Sequence, residues 1–324
     1  MFQDRSRSAL FNALVAMAAG AAGALLFTLA ARGAYAGLVL SYFAPLPLMV
    51  ATLGFGMAVG GAAVLAGGFV AGLIGHHVAF GLAAGLGMFA PAYLVCLAAI
   101  LAPVRPDNDA RVRRALLAST LFAAGTSLAA VGALVASQGG FAPARQAAVT
   151  AVLPLLRAGV QGSRLPTGID MDDLARVLVA VAPAIMAASS FFLLVINLYL
   201  AGRAAQVSGQ LKHPWPAVAD TLALPPVCAA LFALACGLTF LGGLPGILAS
   251  FAATALGAGF ALQGLAVAHV LTRGLAGRPA LLGLIYALLA LAPPWPLFVL
   301  ALAGVVDAAF HLRRRRRGAV PGEP

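Results

Sequence analysis

Residues 36–103 read AGLVLSYFAPLPLMVATLGFGMAVGGAAVLAGGFVAGLIGHHVAFGLAAGLGMFAPAYLVCLAAILAP, 68 residues without one Asp, Glu, Lys or Arg. Crossing the hydrocarbon core as a helix takes about 20 predominantly apolar residues. The stretch therefore fits three crossings, and its helix breakers place the turns at Gly60-Gly61 and at Gly75-His76-His77. Soluble domains carry roughly 25% charged residues, so a run of this length without any is solvated by lipid.

Working outward, the rest of the chain repeats the pattern. Residues 9–31, 115–138 and 175–202 each hold one span. Residues 222–241 and 247–271 are two more, divided at Gly242-Gly243-Leu244-Pro245-Gly246, and 279–292 and 297–312 are two short ones divided at Pro293-Pro294-Trp295-Pro296. With 36–58, 61–78 and 80–103, the expected fold is all-α: a polytopic transmembrane helix bundle of about ten spans, or eight if short segments are re-entrant. The first stretch is preceded by Arg5 and Arg7 and followed by Ala34-Tyr35-Ala36, as in a secretory signal. Its length suits an uncleaved first span better than a signal core of roughly 7–15 residues. Composition agrees: 62% hydrophobic residues, 9% charged and a mean hydropathy of +1.01. A soluble enzyme, a disordered chain, a collagen-like chain and a disulfide scaffold are excluded.

The net charge of +11 would point to nucleic acid in a soluble protein. Its distribution points instead to membrane topology. With the N-terminus inside, fifteen basic residues fall in cytoplasmic segments: Arg5, Arg7, Arg105, Arg111, Arg113, Arg114, Arg203, Lys212, Arg273, Arg278 and the tail run Arg313, Arg314, Arg315, Arg316 and Arg317. Five fall outside: Arg32, Arg145, Arg157, Arg164 and Arg176. Cytoplasmic loops of membrane proteins carry the excess of Lys and Arg, so both termini are expected in the cytoplasm. Residues 1–312 then form one transmembrane domain and 313–324 a basic cytoplasmic tail that binds the anionic leaflet. The expected partner is the lipid bilayer and not nucleic acid. Residues 139–174 form an external loop whose apolar part, Ala147 to Leu156, suits an interfacial helix, and Asp170, Asp172 and Asp173 suit the capped N-terminus of the sixth span.

Catalytic patterns are missing: there is no HExxH, GxSxG, Walker loop or GxGxxG. The cysteines, Cys96, Cys228 and Cys236, sit in apolar runs without metal-ligand spacing. No enzyme activity, metal or cofactor is expected. Polar side chains at membrane depth tend to face the bundle interior or a cavity, and these are Asn12, Asn197, Gln263, His269 and Asp307. Asp307 is placed to pair with His311 or the tail arginines. Pro45 and Pro47 interrupt the second span, and a broken backbone is tolerated there only when buried in protein or lining a cavity. Transporters bind substrate at such breaks. By depth along their helices, Asn197 and Gln263 can face one cavity beside the break, and their amides suit a neutral or zwitterionic small-molecule ligand.

Several short motifs in order complete the picture: Ala44-Pro45-Leu46-Pro47, Asn197-Leu198-Tyr199, Pro214-Trp215-Pro216, Leu224-Pro225, Gln263-Gly264-Leu265-Ala266-Val267 and Gly304-Val305-Val306-Asp307 running into Arg313-Arg314. Through them the chain resembles, over nearly its whole length, the uncharacterised bacterial membrane family DUF2232, or YybS-like proteins. That family is distantly similar to the substrate-binding S-components of energy-coupling-factor transporters. The resemblance implies a bacterial inner-membrane protein, solute-binding or transport-related, with a membrane-protein partner or energy-coupling subunit; small residues such as Ala9 and Ala13 would dock it. The alternative is a non-transporting scaffold for envelope or membrane machinery. A polar-lined pocket near Pro45 and Pro47 separates the two: binding needs one, whereas a scaffold can be solidly packed.

Overall fold

The computed structural model describes residues 2–30, 35–105, 108–160, 170–211, 213–241 and 243–313. Apart from a two-residue antiparallel pairing of Val104–Arg105 with Asn108–Asp109, every regular element among them is helical. In chain order the α-helices are α1 (Phe2–Leu29), α2 (Tyr35–Ser41), α3 (Leu46–Phe55), α4 (Met57–Ile74), α5 (Val78–Ala84), α6 (Ala90–Ile100), α7 (Arg111–Ser137), α8 (Phe141–Val160), α9 (Met171–Val207), α10 (Val218–Thr221), α11 (Val227–Leu238), α12 (Gly243–Leu271), α13 (Arg278–Leu291) and α14 (Trp295–Phe310).

Among the described residues, seven stretches are helical, apolar and long enough to cross a membrane: Ala9–Leu29, Ala36–Phe55, Met57–Ile74, Val78–Ile100, Arg111–Ser137, Met171–Val207 and Gly243–Leu271. Three shorter apolar helices, Val227–Leu241, Arg278–Leu291 and Trp295–Phe310, lie at the remaining places where the apolar runs predict spans. At 1.5 Å per residue they are about 21–24 Å long, short of the core's about 30 Å. The protein is a polytopic helical membrane bundle. Large apolar side chains such as Leu65, Phe69, Val78 and Leu155 cover its outside, more than two-thirds exposed, where lipid rather than water solvates them.

Three local features shape the half that holds the site. The chain leaves α2 at Ser41 and enters α3 at Leu46 through a turn over residues 42–45. Pro47 stands in the first turn of α3, where its missing N–H removes no helical bond. The reversal between α3 and α4 falls at Gly56, whose φ of +98° no β-carbon tolerates easily. The sequence places that turn at Gly60-Gly61, and this is corrected: both lie inside α4, and a β-carbon on Gly60 would overlap the side chain of Thr52 in α3. The glycine pair serves close packing, not reversal.

Of the other expected breaks, Gly243-Leu244-Pro245-Gly246 is corrected, since these residues open α12 instead of preceding it. Helix α4 ends before Gly75-His76-His77, and a π-helical turn at Gly85–Phe89 joins α5 to α6. Asp170 caps α9 by accepting from the Asp172 N–H at 3.1 Å, with Asp172 and Asp173 in the first turn. Helix α8 is longer than its apolar centre predicts, and packs against α9 and α7 with Ala144 and Val149 buried. On α1, Ala9, Asn12 and Ala13 are exposed.

Helices α12 and α14 make one of the closest crossings in the bundle. A β-carbon on Gly264 would overlap the Leu300 carbonyl, and one on Gly304 would overlap the Phe260 carbonyl. Two glycines thus let two backbones touch, the small-residue packing that substitutes for a hydrophobic driving force in lipid.

Candidate functional site

The break between α2 and α3 leaves a carbonyl without its helical partner. In a continuous helix the Tyr42 carbonyl would accept from the Leu46 N–H, but that N–H donates to Phe43 at 3.0 Å instead. Asn197 of α9 takes over. Its Nδ2 donates to the Tyr42 carbonyl at 2.8 Å and to the Leu193 carbonyl, one turn back in α9, also at 2.8 Å. Since both partners are acceptors, they fix which end of the amide is nitrogen. Oδ1 is therefore the other end, and it has no hydrogen-bond partner although the side chain is 1% exposed.

Asn197 forms part of the wall of a cleft of about 790 Å³. Tyr42 and Phe43 contribute from the break, Ala184, Ala188 and Phe192 from α9, and Phe232 from α11. Gly257 and Ala258 of α12 and Leu297 and Phe298 of α14 close the far side. The expected polar lining is corrected: nearly all of the wall is carbon, with Ser189, Thr254 and Asn197 as its polar side chains besides Tyr42, and among the described residues no Asp, Glu, Lys, Arg or His lines it. Such a volume is within the usual range for small-molecule sites. Pro45 and Pro47 are not in the wall; they set the turn that presents Tyr42 and Phe43 to it.

Gln263 lies apart from this cleft. The α12–α14 crossing carries it to Asp307, and its Nε2 donates to Asp307 Oδ2 at 2.8 Å while its Oε1 accepts from the Leu224 N–H at 2.8 Å. Asp307 also accepts from Arg313: from the backbone N–H at 3.1 Å, Nε at 2.9 Å and Nη2 at 2.8 Å. Arg313 donates further to the carbonyls of Ala219 and Leu222, at 2.8 and 2.7 Å. Of the expected partners for Asp307, then, an arginine supplies the ion pair. The expected leaflet anchor Arg313 is corrected: it is 8% exposed, with its donors spent on the protein's own carbonyls and carboxylate. The other expected anchors, Arg314, Arg315, Arg316 and Arg317, lie outside the described residues.

The same connector between α9 and α11 is held by two other arginines. Arg111, the first residue of α7, donates to the carbonyls of His213 (3.3 Å) and Pro214, and its guanidinium stands 5.8 Å from the Trp215 ring centre. Arg273, beyond α12, makes a two-pronged ion pair with Asp220 at 2.8 and 2.9 Å. Trp215 in turn occupies the space a β-carbon on Gly202 would need. Sequence reading assigns these arginines to topology and misses the connector they clamp. His269 meets Tyr286 at 2.9 Å, outside both arrangements.

Three buried side-chain atoms among the described residues lack a partner: Asn197 Oδ1, Trp215 Nε1 and Arg278 Nε. Trp215 borders a space of about 30 Å³, large enough for a water. Asn197 is the one that adjoins a ligand-sized cleft. No group of three His, Cys, Asp or Glu converges among the described residues. No curated protein and no solved structure matches the chain. A family model does, the one described as "Predicted membrane protein (DUF2232)": it matches residues 21–308, nine-tenths of the sequence, and the chain belongs to that family.

Proposed function

We propose that this protein is a non-enzymatic, solute-binding subunit of a bacterial inner membrane, related to transport, which holds its ligand in the cleft beside the α2–α3 break. The observation that carries the reading is the coincidence of three features at one place: a broken span, a ligand-sized cleft and a buried amide oxygen with no partner. Broken helices in membranes are stable only where protein or a cavity receives them, and transporters bind at such places. A scaffold has no need of the cleft. The sequence holds no nucleotide loop, so a membrane-protein partner would supply energy for any transport.

Ala188 is in the cleft wall on α9 and half-buried, so Ala188→Trp fills the space from one side. The protein is extracted with its surrounding membrane in polymer nanodiscs, and the small molecules that accompany it are compared by mass spectrometry. A compound enriched with the parent and depleted in the variant supports the reading. Identical profiles favour the scaffold.

A further inference from the structure

We infer, building on the binding reading above, that the ligand is a membrane-borne amphiphile: one long apolar chain ending in a neutral group that donates a hydrogen bond. The chain lies along α9, and the donor meets Asn197 Oδ1.

Length, chemistry and position each contribute. From Asn197 back to Ala184 the cleft follows α9 for about 20 Å at 1.5 Å per residue. The hydrocarbon core is about 30 Å thick, so one leaflet's acyl chain reaches about half of that, and the cleft is long enough to take one whole. Between these ends the wall is mostly side-chain carbon from Phe192, Phe232, Leu297 and Phe298, with the hydroxyls of Ser189 and Thr254 as its polar groups. A compact polar solute would lose its hydration there for few replacement hydrogen bonds, and burying an unpaired polar group is unfavourable. An alkyl chain loses nothing on moving from lipid into such a wall.

The polar end is at Asn197. Its Nδ2 is fully engaged with two carbonyls, so the side chain has only acceptor capacity left. An acceptor selects a donor, and among neutral groups that is a hydroxyl or an amide N–H, not an ether or ester oxygen. With no cation in the wall, a phosphate or carboxylate head would be buried without a counter-charge. Oδ1 is buried, so a donor reaches it as cleft-wall side chains such as Phe192 and Ile196 shift. The amide stands near the end of α9 that carries Arg203. The head group therefore sits toward that end, and the chain runs toward Ala184.

The test uses the full chain in nanodiscs and a long-chain primary alcohol with a photoreactive diazirine at its far end. Labelling is mapped by mass spectrometry and competed with four unlabelled compounds of equal chain length: the alcohol, its methyl ether, the alkane and the alkyl phosphate. The label is expected on α9 around Ala184 to Ala188. The alcohol is expected to compete about fivefold better than the ether, the net value of one hydrogen bond. In Asn197→Ala that preference disappears. Because this variant also releases the Tyr42 carbonyl, the alcohol-to-ether ratio on folded parent protein stands as a test by itself. If ether or alkane competes as well as the alcohol on the parent, donor recognition is refuted while the binding reading survives. If the phosphate competes best, the neutral head group is refuted. If α9 labelling is unaffected by any competitor and by Ala188→Trp, the binding reading fails with it.

Discussion

Asp307→Asn isolates the buried charge that joins α14 to the α9–α11 connector. The substitution keeps shape and removes charge. Arg313 then stays in place, its side chain 10% exposed, with its Nε and one Nη2 proton facing an amide instead of a carboxylate. Breaking a buried pair from one side is generally unfavourable by about 3–5 kcal/mol, because the remaining ion is uncompensated. Here the carbonyls of Ala219 and Leu222 still accept from the guanidinium, which places the expected loss near the lower end, about 3 kcal/mol. The exposed pair Asp173–Arg176, with side chains 69% and 58% accessible, serves as the internal control; Asp173→Asn should change stability by less than about 1 kcal/mol. The assay is reversible unfolding in mixed micelles, followed by Trp fluorescence. The double variant Asp307→Leu/Arg313→Met leaves no stranded charge but removes the partner of Gln263 Nε2 and a donor to the Ala219 and Leu222 carbonyls, so it should recover part of the loss. A single-variant loss below about 1 kcal/mol, the scale of a surface pair, refutes the claim that this pair is desolvated.

Other outcomes follow from packing and charge. Gly264→Ala brings a methyl against the Leu300 carbonyl and is expected to destabilise by at least about 2 kcal/mol in the same unfolding assay; Gly125→Ala in α7, with open space around it, should be neutral or stabilising by up to about 1 kcal/mol. Arg111→Lys loses the planar fork that reaches two carbonyls and stacks on Trp215, so acrylamide should quench Trp215 more readily, measured with Trp295→Phe as background. Reporter fusions after residue 108 and at the C-terminus should read cytoplasmic and one near Gly162 external, from the basic-residue bias; a periplasmic C-terminus overturns that orientation.

How much of this was legible in the sequence depends on what lipid forbids. Unpaired charge is costly in a bilayer, so apolar runs mark helices, and the Asp170 cap is visible because capping chemistry is local. Azimuth is not local. Gln263 and Asn197 sit at comparable depths, and depth alone predicts one shared cavity. Yet Gly257 and Ala258 turn one face of α12 to the cleft, while Gln263 faces α14. Gly60-Gly61 looks like a turn because glycine does two jobs, and which one it does depends on whether a neighbour such as Thr52 needs the space. Arg313 looks like the first residue of a solvated run. It folds back because His311 adopts the left-handed conformation, with φ 55° and ψ 45°, turning the chain just after α14 so that Arg313 meets Asp307. Nothing local in the sequence announces a non-glycine residue there.

The cleft and the buried pair are separate in chemistry but not in mechanics. Helices α12 and α14 supply one wall of the cleft through Gly257, Ala258, Leu297 and Phe298, and the same two helices carry Gln263 and Asp307 farther along. Their spacing is set by Gly264 and Gly304, where the backbones touch, and the ion pair closes just beyond that point. An apolar cleft between helices has little of its own to hold it open, since side chains in lipid gain from any close packing. A close crossing on one side and the packing of α9 on the other limit that freedom. The Gln263–Asp307–Arg313 group thus acts on the cleft without lining it: it ties together the two helices that form the far wall.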